Sequence, residues 1–317
     1  MGNDISRMRI RVAGLVALLS LSSTALHAQC SGSASVQEVC NRAIDALKTF
    51  HPAAGIIVSG GNPSLGSARG LGGLGHGFVT VRANALTVVV PNPDTTTGAA
   101  TFEGIVGAPV IEAGIGLSGG FLAVDGLFAA TLLPTTAVAG LRVDSNATHL
   151  GSLALGLGFG ARVSVLAGAF PIPAVSLSVM RRSLPRVTYG QLAPSSLSAG
   201  DAFEFSTDLQ ATNVRIAASY RFPVFEVAAG FGFDHYTSEG GLRYYDNPPL
   251  NTIASVPFNP GNSRQLVFIN AAARLAVVTL GAELGYQTGK DQNLSTSYSF
   301  DASGGKVFGG VGVRVGF

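Results

Sequence analysis

The sequence predicts an all-β fold, an antiparallel transmembrane β-barrel of about 10 strands, and leaves a range of roughly 8–14 open. A short amphipathic helix precedes it. Only 12% of the 317 residues are charged, whereas soluble domains usually carry about 25%. Glycine accounts for 42 residues, well above its usual share of about 7%. The chain lacks the several apolar runs of roughly 20 residues that a bundle of transmembrane helices needs, so the hydrophobicity is expected to alternate along strands.

The first 28 residues have the pattern of a secretory signal peptide. Arg7, Arg9 and Arg11 form a basic start, and residues 12–21 form an apolar stretch of suitable length. Small residues follow, and we expect cleavage after Ala28. An uncleaved signal anchor is the alternative, although an apolar stretch of about ten residues is short for a membrane span.

Two cysteines, Cys30 and Cys40, follow the predicted cleavage point. In an oxidising compartment such a pair is expected to form a disulfide. A metal site is the weaker interpretation because no histidine adjoins either cysteine. A reactive thiol pair would need Cys-x-x-Cys spacing.

Residues 35–50 predict one amphipathic helix, because apolar residues recur at helical spacing from Val36 to Phe50. Pro52 is expected to end this helix. Residues 53–75 are rich in glycine and have no clear period. They either line or plug a lumen or act as a linker.

From residue 76 the hydrophobic period changes to two, which is typical of strands. The chain therefore divides into residues 1–28 as signal peptide, 29–75 as helix and Gly-rich plug or linker, and 76–317 as barrel. The predicted strands are 76–91, 104–117, 121–133, 150–167, 172–186, 204–222, 224–238, 264–276, 277–290 and 306–317.

Two of these strands have alternatives. Pro109 in the second strand requires a strand end or a bulge. Residues 121–141 could be scored as a transmembrane helix, but Asp125 and Pro134 favour a strand followed by a loop.

The connections between predicted strands alternate in length. Those after strands 2, 4, 6 and 8 are tight, whereas those after the odd-numbered strands are long and polar or contain proline. Outer-membrane barrels show this alternation, with short periplasmic turns and long outer loops.

The last strand carries the most specific signal. Val311, Val313, Val315 and Phe317 share one face, and the chain ends on an aromatic residue. This terminus resembles the C-terminal assembly signal of bacterial outer-membrane barrels. The resemblance implies location in the outer membrane, contact with its lipid, and insertion by the outer-membrane assembly machinery through these four residues.

The N-terminal segment carries a looser resemblance. A helix and a Gly-rich stretch containing Asn62-Pro63, placed before a barrel, are similar to the plugged fatty-acid and hydrocarbon transporter family. This resemblance implies passage of a small or hydrophobic solute through a barrel that its own N-terminus closes.

Every predicted strand carries at least one charged residue on the face opposite its apolar set. Charge on the lipid face costs roughly 2–4 kcal/mol for Arg near the midplane, so these residues are expected to face the lumen. Glu226 is expected to pair with Arg215 or Arg221, and Glu283 with Arg274. The predicted lumen charge belt comprises Arg82, Glu112, Asp125, Arg162, Arg182, Arg215, Glu226, Asp234, Arg274, Glu283 and Arg314.

These observations lead to three functional hypotheses. The first is a passive channel for small or hydrophobic solutes, with the belt tuning selectivity. The second is a closed structural or surface-interaction barrel that acts through its long outer loops, 134–149, 187–203 and 239–263. The third, a rim-site hydrolase at Asp234-His235, is the weakest because adjacent strand residues point to opposite faces.

We therefore expect no catalytic residue, no metal and no cofactor. The net charge of +2 and the absence of a basic sequence patch argue against nucleic-acid binding.

Overall fold

The computed structural model describes Cys30 and residues 34–92, 100–120, 122–134, 141–167, 172–190, 192, 203–245 and 253–317. The predicted signal peptide lies outside these residues. Within them, no helix is both long and apolar enough to cross a membrane. The described chain contains one helix, α1 (Ala34–Ser59). Its strands are β1 (Gly77–Pro91), β2 (Thr101–Ser118), β3 (Ala123–Pro134), β4 (Leu141–Val143), β5 (His149–Leu150), β6 (Leu153–Ala167), β7 (Ala174–Gly190), β8 (Phe203–Arg221), β9 (Phe225–Thr237), β10 (Gly240–Tyr245), β11 (Ile253–Phe258), β12 (Gly261–Leu275), β13 (Val278–Gln287) and β14 (Lys306–Gly316).

In the described part of the chain, ten long strands close an antiparallel barrel. The order around the wall is β1, β2, β3, β6, β7, β8, β9, β12, β13 and β14, each paired with the next. β14 pairs with β1 from Phe78↔Gly316 to Leu86↔Phe308, which closes the ring. The predicted barrel and its strand count are confirmed, and residues 121–141 contain strand β3 rather than a transmembrane helix.

The inner and outer faces of the wall differ in composition. Val79, Val81 and Phe159 are exposed on the outer face, whereas Arg82 and Arg162 are buried on the inner face. This difference follows from the period of two, because successive side chains along a strand point to opposite faces.

Short turns join strands at one end of the barrel, which we call the short-turn end. The β12–β13 turn consists of Ala276 and Val277, and Ala276 lies in the left-handed region with φ of 55°. The backbones of Gly77 and Phe317 exchange two hydrogen bonds of 2.8 and 3.0 Å at this end. The barrel therefore begins and ends at the short-turn end.

The opposite end, which we call the long-loop end, has more strand than predicted. Within the predicted loop 239–263, β10 and β11 form a hairpin, and β10 also pairs with β8. The predicted loop 134–149 contains β4, and β7 continues into the predicted loop 187–203. Leu242 and Tyr244 of β10 are buried against α1. That contact is non-local, so strand periodicity in a short segment could not reveal it.

The prediction that Pro52 ends the helix is wrong, because α1 continues through Pro52 to Ser59. A proline inside a helix costs about 3 kcal/mol. Beyond it, Ile56, Ile57 and Val58 are almost fully buried inside the barrel. Burying each such side chain contributes roughly 1.5–3 kcal/mol, so packing outweighs the cost of the proline.

Pro109 lies inside β2 without breaking it. The pairing of β2 with β1 runs without a register shift from Ile115 to Thr101. The pairing of β2 with β3 instead stops at Val110. The expected strand end or bulge at Pro109 is therefore wrong, and the proline is tolerated because the ladder with β3 has already ended there.

The first prediction concerns glycines that leave room for aromatic rings. A Cβ added to Gly285 would overlap the ring of Phe308, whereas one added to Gly104 would meet nothing within 4 Å. We expect Gly285→Ala to lower the free energy of unfolding by about 1–3 kcal/mol, because the ring must leave its packed position. Gly104→Ala is the matched control and is expected to be neutral or slightly stabilising. Urea unfolding in detergent micelles, followed by circular dichroism, checks this, and equal losses in both variants would contradict it.

Candidate functional site

The segment that precedes the barrel fills the lumen. Ile44 and Leu47 of α1 pack against Leu242 and Tyr244 at the long-loop end. Residues 61–68 are all buried, and Gly73 lies against Gly119 at the short-turn end. The segment therefore runs the length of the barrel, and we call residues 34–75 the lumen plug.

A disulfide joins Cys30 to Cys40 near the start of the lumen plug, as predicted, with the two Cα atoms 6.0 Å apart. Cys40 is buried in the apolar cluster between α1 and the β10–β11 hairpin. The disulfide therefore ties Cys30, which precedes the helix, to the packed end of α1.

Glu283 on β13 is the main attachment point for the middle of the lumen plug. Its carboxylate accepts hydrogen bonds from the backbone N–H groups of Gly61 and Asn62, both at 2.7 Å. It also accepts hydrogen bonds from Arg82 and Asn270, again at 2.7 Å. A buried carboxylate is costly unless such donors surround it, so this arrangement couples the charge of the wall to the backbone of the plug.

Arg215 on β8 holds the same stretch from the other side. Its guanidinium donates to the carbonyl oxygens of Gly61 at 2.7 Å and Gly60 at 3.0 Å. It also makes a two-bond pair with the carboxylate of Asp234, at 2.5 and 3.1 Å. The plug backbone is therefore held by an anion and a cation at consecutive residues.

Arg82, Glu112 and Arg182 extend this network along the wall. Glu112 lies between the two arginines, 3.3 Å from Arg82 and 2.7 Å from Arg182. Arg82 donates to the carbonyl oxygen of Asn62, and Arg182 to that of Val58. Both arginines thus donate hydrogen bonds to carbonyl oxygens of the lumen plug as well as to Glu112.

Two further carboxylates bind the part of the lumen plug that lies nearer to the short-turn end. Glu226 accepts hydrogen bonds from Ser67 at 2.7 Å and Arg221 at 3.0 Å. Asp125 pairs with Arg162 at 2.7 Å and accepts a hydrogen bond from the backbone N–H of Leu71. Plug and wall are therefore joined by polar contacts from mid-barrel to the short-turn end.

The structure places all eleven residues of the predicted belt on the inner face. The predicted pairing of Glu226 is confirmed with Arg221, one of its two expected partners, whereas Arg215 pairs with Asp234. The predicted pairing of Glu283 with Arg274 is wrong, because Glu283 pairs with Arg82.

Strand register explains the failed pairing of Glu283 with Arg274. Glu283 lies opposite Asn270, and Arg274 lies opposite Thr279. Four residues along a strand correspond to about 13 Å, which is too far for a direct ion pair. β14 lies between β13 and β1, and barrel closure brings Arg82 within reach across it.

Sequence reasoning missed Asp45, a buried residue of α1. Its carboxylate accepts hydrogen bonds from the backbone N–H groups of Ser295 and Thr296 and from the hydroxyl of Tyr298. Burial raises the pKa of Tyr298 to about 12, so its hydroxyl remains a donor at neutral pH. The available signal was an acidic residue placed between the apolar Ile44 and Leu47.

The two residues of the hydrolase hypothesis point apart. Asp234 faces the lumen, where Arg215 and the hydroxyl of Tyr236 bind its carboxylate. His235 faces outward and contacts the hydroxyl of Ser263 at 2.9 Å.

The valines of the predicted assembly signal lie on the outer face, where Val311, Val313 and Val315 are exposed. Phe317 is exposed at the short-turn end, where its backbone pairs with Gly77. The barrel thus has an apolar outer face, a polar packed lumen, and both of its termini at the end with short turns. These are the features of barrels in the bacterial outer membrane. The protein is a bacterial outer-membrane β-barrel. In barrels of this kind the short turns face the periplasm and the long loops face outward, so we assign the short-turn end as the periplasmic end and the long-loop end as the outer end.

No protein-family model matches the chain, and no curated protein matches it. Solved structures with similar folds include the outer membrane protease OmpT from Escherichia coli, 12% identical over 76% of this chain and 96% of its own, with a TM-score of 0.39. The translocator domain of autotransporter NalP from Neisseria meningitidis is 10% identical over 77% of this chain and 88% of its own, with a TM-score of 0.43. The toluene transporter TbuX from Ralstonia pickettii is 10% identical over 83% of this chain and 93% of its own, with a TM-score of 0.31.

The second prediction concerns the attachment of the lumen plug. We expect Glu283→Gln to raise the rate of tryptic cleavage after Arg69 by about 100-fold, because losing one partner of a buried ion pair costs about 3 kcal/mol or more. Arg69 follows the buried residues Ser67 and Ala68, so cleavage there reports displacement of the plug. The matched control is Glu103→Gln, at an exposed residue of β2. Mass spectrometry of the fragments measures the rate, and equal rates in wild type and Glu283→Gln would contradict the prediction.

Proposed function

We propose that the protein is a sealed outer-membrane barrel whose working surface is its folded outer end, and that it is not a standing-open channel. The observation that carries this proposal is the lumen plug, which is bound to the wall by the buried network around Glu283 and Arg215. The proposal assigns no enzymatic activity to the chain.

The free energy of the plug contacts supports a sealed state. Glu283 and Arg215 together make four charge-assisted hydrogen bonds to the backbone of residues 60–62. Each such bond contributes about 1.5–3 kcal/mol, so unseating this stretch costs on the order of 6 kcal/mol. The fraction of molecules with an unseated plug is then about 1 in 10,000.

The outer end supports a role in surface contacts. α1 joins two rim structures there, because it packs against the β10–β11 hairpin and binds the connection after β13 through Asp45. Lys48 also donates to the carbonyl oxygen of Asn293. A rim held in this way presents one fixed surface to molecules outside the cell, as a contact surface requires.

Gated passage of a solute is the second candidate. The favouring observation is that hydrogen bonds to charged side chains of the wall hold residues 60–71 at several points along their length. Water can replace such contacts, so a partner that engages the lumen plug could release it at moderate cost.

The third prediction separates the two candidates by conductance in planar bilayers. We expect wild-type protein to show no steady conductance, and a variant lacking residues 34–75 to conduct, because the plug fills the lumen. Circular dichroism verifies that the shortened barrel folds. The double variant Arg215→Gln, Glu283→Gln retains the whole chain and is expected to show intermittent openings. Glu38→Gln, at an exposed residue of α1, is the silent control. Steady conductance of the wild type would contradict the sealed barrel.

A further inference from the structure

An arginine-lined cavity opens at the periplasmic end, between the lumen plug and the barrel wall. Its volume is about 380 Å³, and its rim includes Ala276 and Val277 of the β12–β13 turn and the C-terminal Phe317. We call it the periplasmic vestibule. Its size is within the usual range for pockets that bind small molecules, about 300–1,000 Å³.

Positive charge dominates the vestibule. Its lining includes five guanidinium groups, from Arg69, Arg162, Arg221, Arg274 and Arg314. Asp125 and Glu226 pair with two of them, those of Arg162 and Arg221. Five cations against two carboxylates leave three positive charges, because arginine stays protonated in proteins.

Three of these arginines have no carboxylate within ion-pair distance among the described residues. Within the described residues, the guanidinium groups of Arg69, Arg274 and Arg314 make no ion pair and no hydrogen bond, although Arg314 lies 5.8 Å from the ring centre of Phe78. Arg162 is only 2% exposed, and its Nη1 atom has no hydrogen-bond partner. A buried guanidinium nitrogen without an acceptor is costly, and it indicates the place of a missing anionic acceptor.

Strand register arranges two of the free arginines around a hydroxyl. Arg274 of β12 lies opposite Thr279 of β13, and Thr279 lies opposite Arg314 of β14. The two arginines are therefore two strand spacings apart, about 10 Å, with the hydroxyl between them. Their side chains can approach one anion from two sides while the hydroxyl donates a third hydrogen bond.

We propose that the periplasmic vestibule binds a phosphate group. A net charge of about three and donors on several sides suit a tetrahedral anion with several oxygens better than a planar monovalent carboxylate, and arginine pairs well with phosphate. The group could belong to a soluble phosphate compound of the periplasm or to a phospholipid headgroup of the inner leaflet. This site does not depend on whether the barrel conducts.

The test uses the full-length protein in a maltoside detergent, which contains no phosphate. Isothermal titration with inorganic phosphate at constant ionic strength measures the dissociation constant, and the rise in melting temperature measures binding independently. The variants are Arg274→Gln and Arg314→Gln. Neither arginine has a carboxylate partner, so each substitution removes charge repulsion and is expected to leave the barrel folded. Arg243→Gln, which removes an exposed charge at the outer end, is the matched control.

We expect each vestibule variant to weaken phosphate binding by about tenfold or more, and Arg243→Gln to leave it within about twofold. A second arm adds phosphatidylglycerol to the same micelles and records bound lipid by native mass spectrometry. Binding of inorganic phosphate that depends on both arginines assigns the site to a soluble ligand. Binding of phosphatidylglycerol alone, with the same dependence, assigns it to a lipid headgroup. Absence of binding for both probes, or equal affinity in wild type and the vestibule variants, would overturn the proposal.

Discussion

The carboxylate of Glu283 is the contact on which the closed lumen most depends. It binds two backbone N–H groups of the plug and also pairs with Arg82 of the wall. A charge buried at this depth is stable only if all its partners remain in place. The plug therefore stabilises the wall, because its removal would leave water to replace part of the hydrogen bonding of Glu283 and Arg215. The wall stabilises the plug in turn, since the backbone of residues 60–62 has no regular secondary structure to satisfy it.

The composition of the inner face explains why a plug is needed. Small residues occupy many inward positions, so the wall alone does not fill a lumen of ten strands. Leu65 of the plug lies over Gly281 and Gly312, where an added Cβ would come within 3.0 Å of it, and Gly66 packs against Ala272. The high glycine content of the chain thus reflects the close approach of plug and wall as well as the space that arginine side chains require. Gly312 provides such space beside Arg82.

The barrel was predictable from the sequence because its signals are local. A period of two and a charge on the inner face can be recognised within a single strand. The alternation of short and long connections can be recognised from the spacing of successive strands. The same logic placed Arg82 and Glu283 inside, but it could not pair them, since their contact depends on closure of β1 against β14. The course of α1 beyond Pro52 was hidden for a similar reason, because burial inside the barrel outweighs a local breaking signal. Asp45 finds its partners about 250 residues further along the chain, at a distance that no pattern in the sequence reports.

Hydrogen exchange at the amides of Gly61 and Asn62 tests most directly whether the plug is a fixed part of the barrel. Both amides donate to Glu283 inside the lumen. If the plug opens only when the wall contacts break, these two amides should exchange far more slowly than an exposed loop, with protection of about 10,000-fold or more. Exchange at the rate of an unprotected peptide would show that residues 60–62 leave the wall freely, which would contradict the sealed barrel.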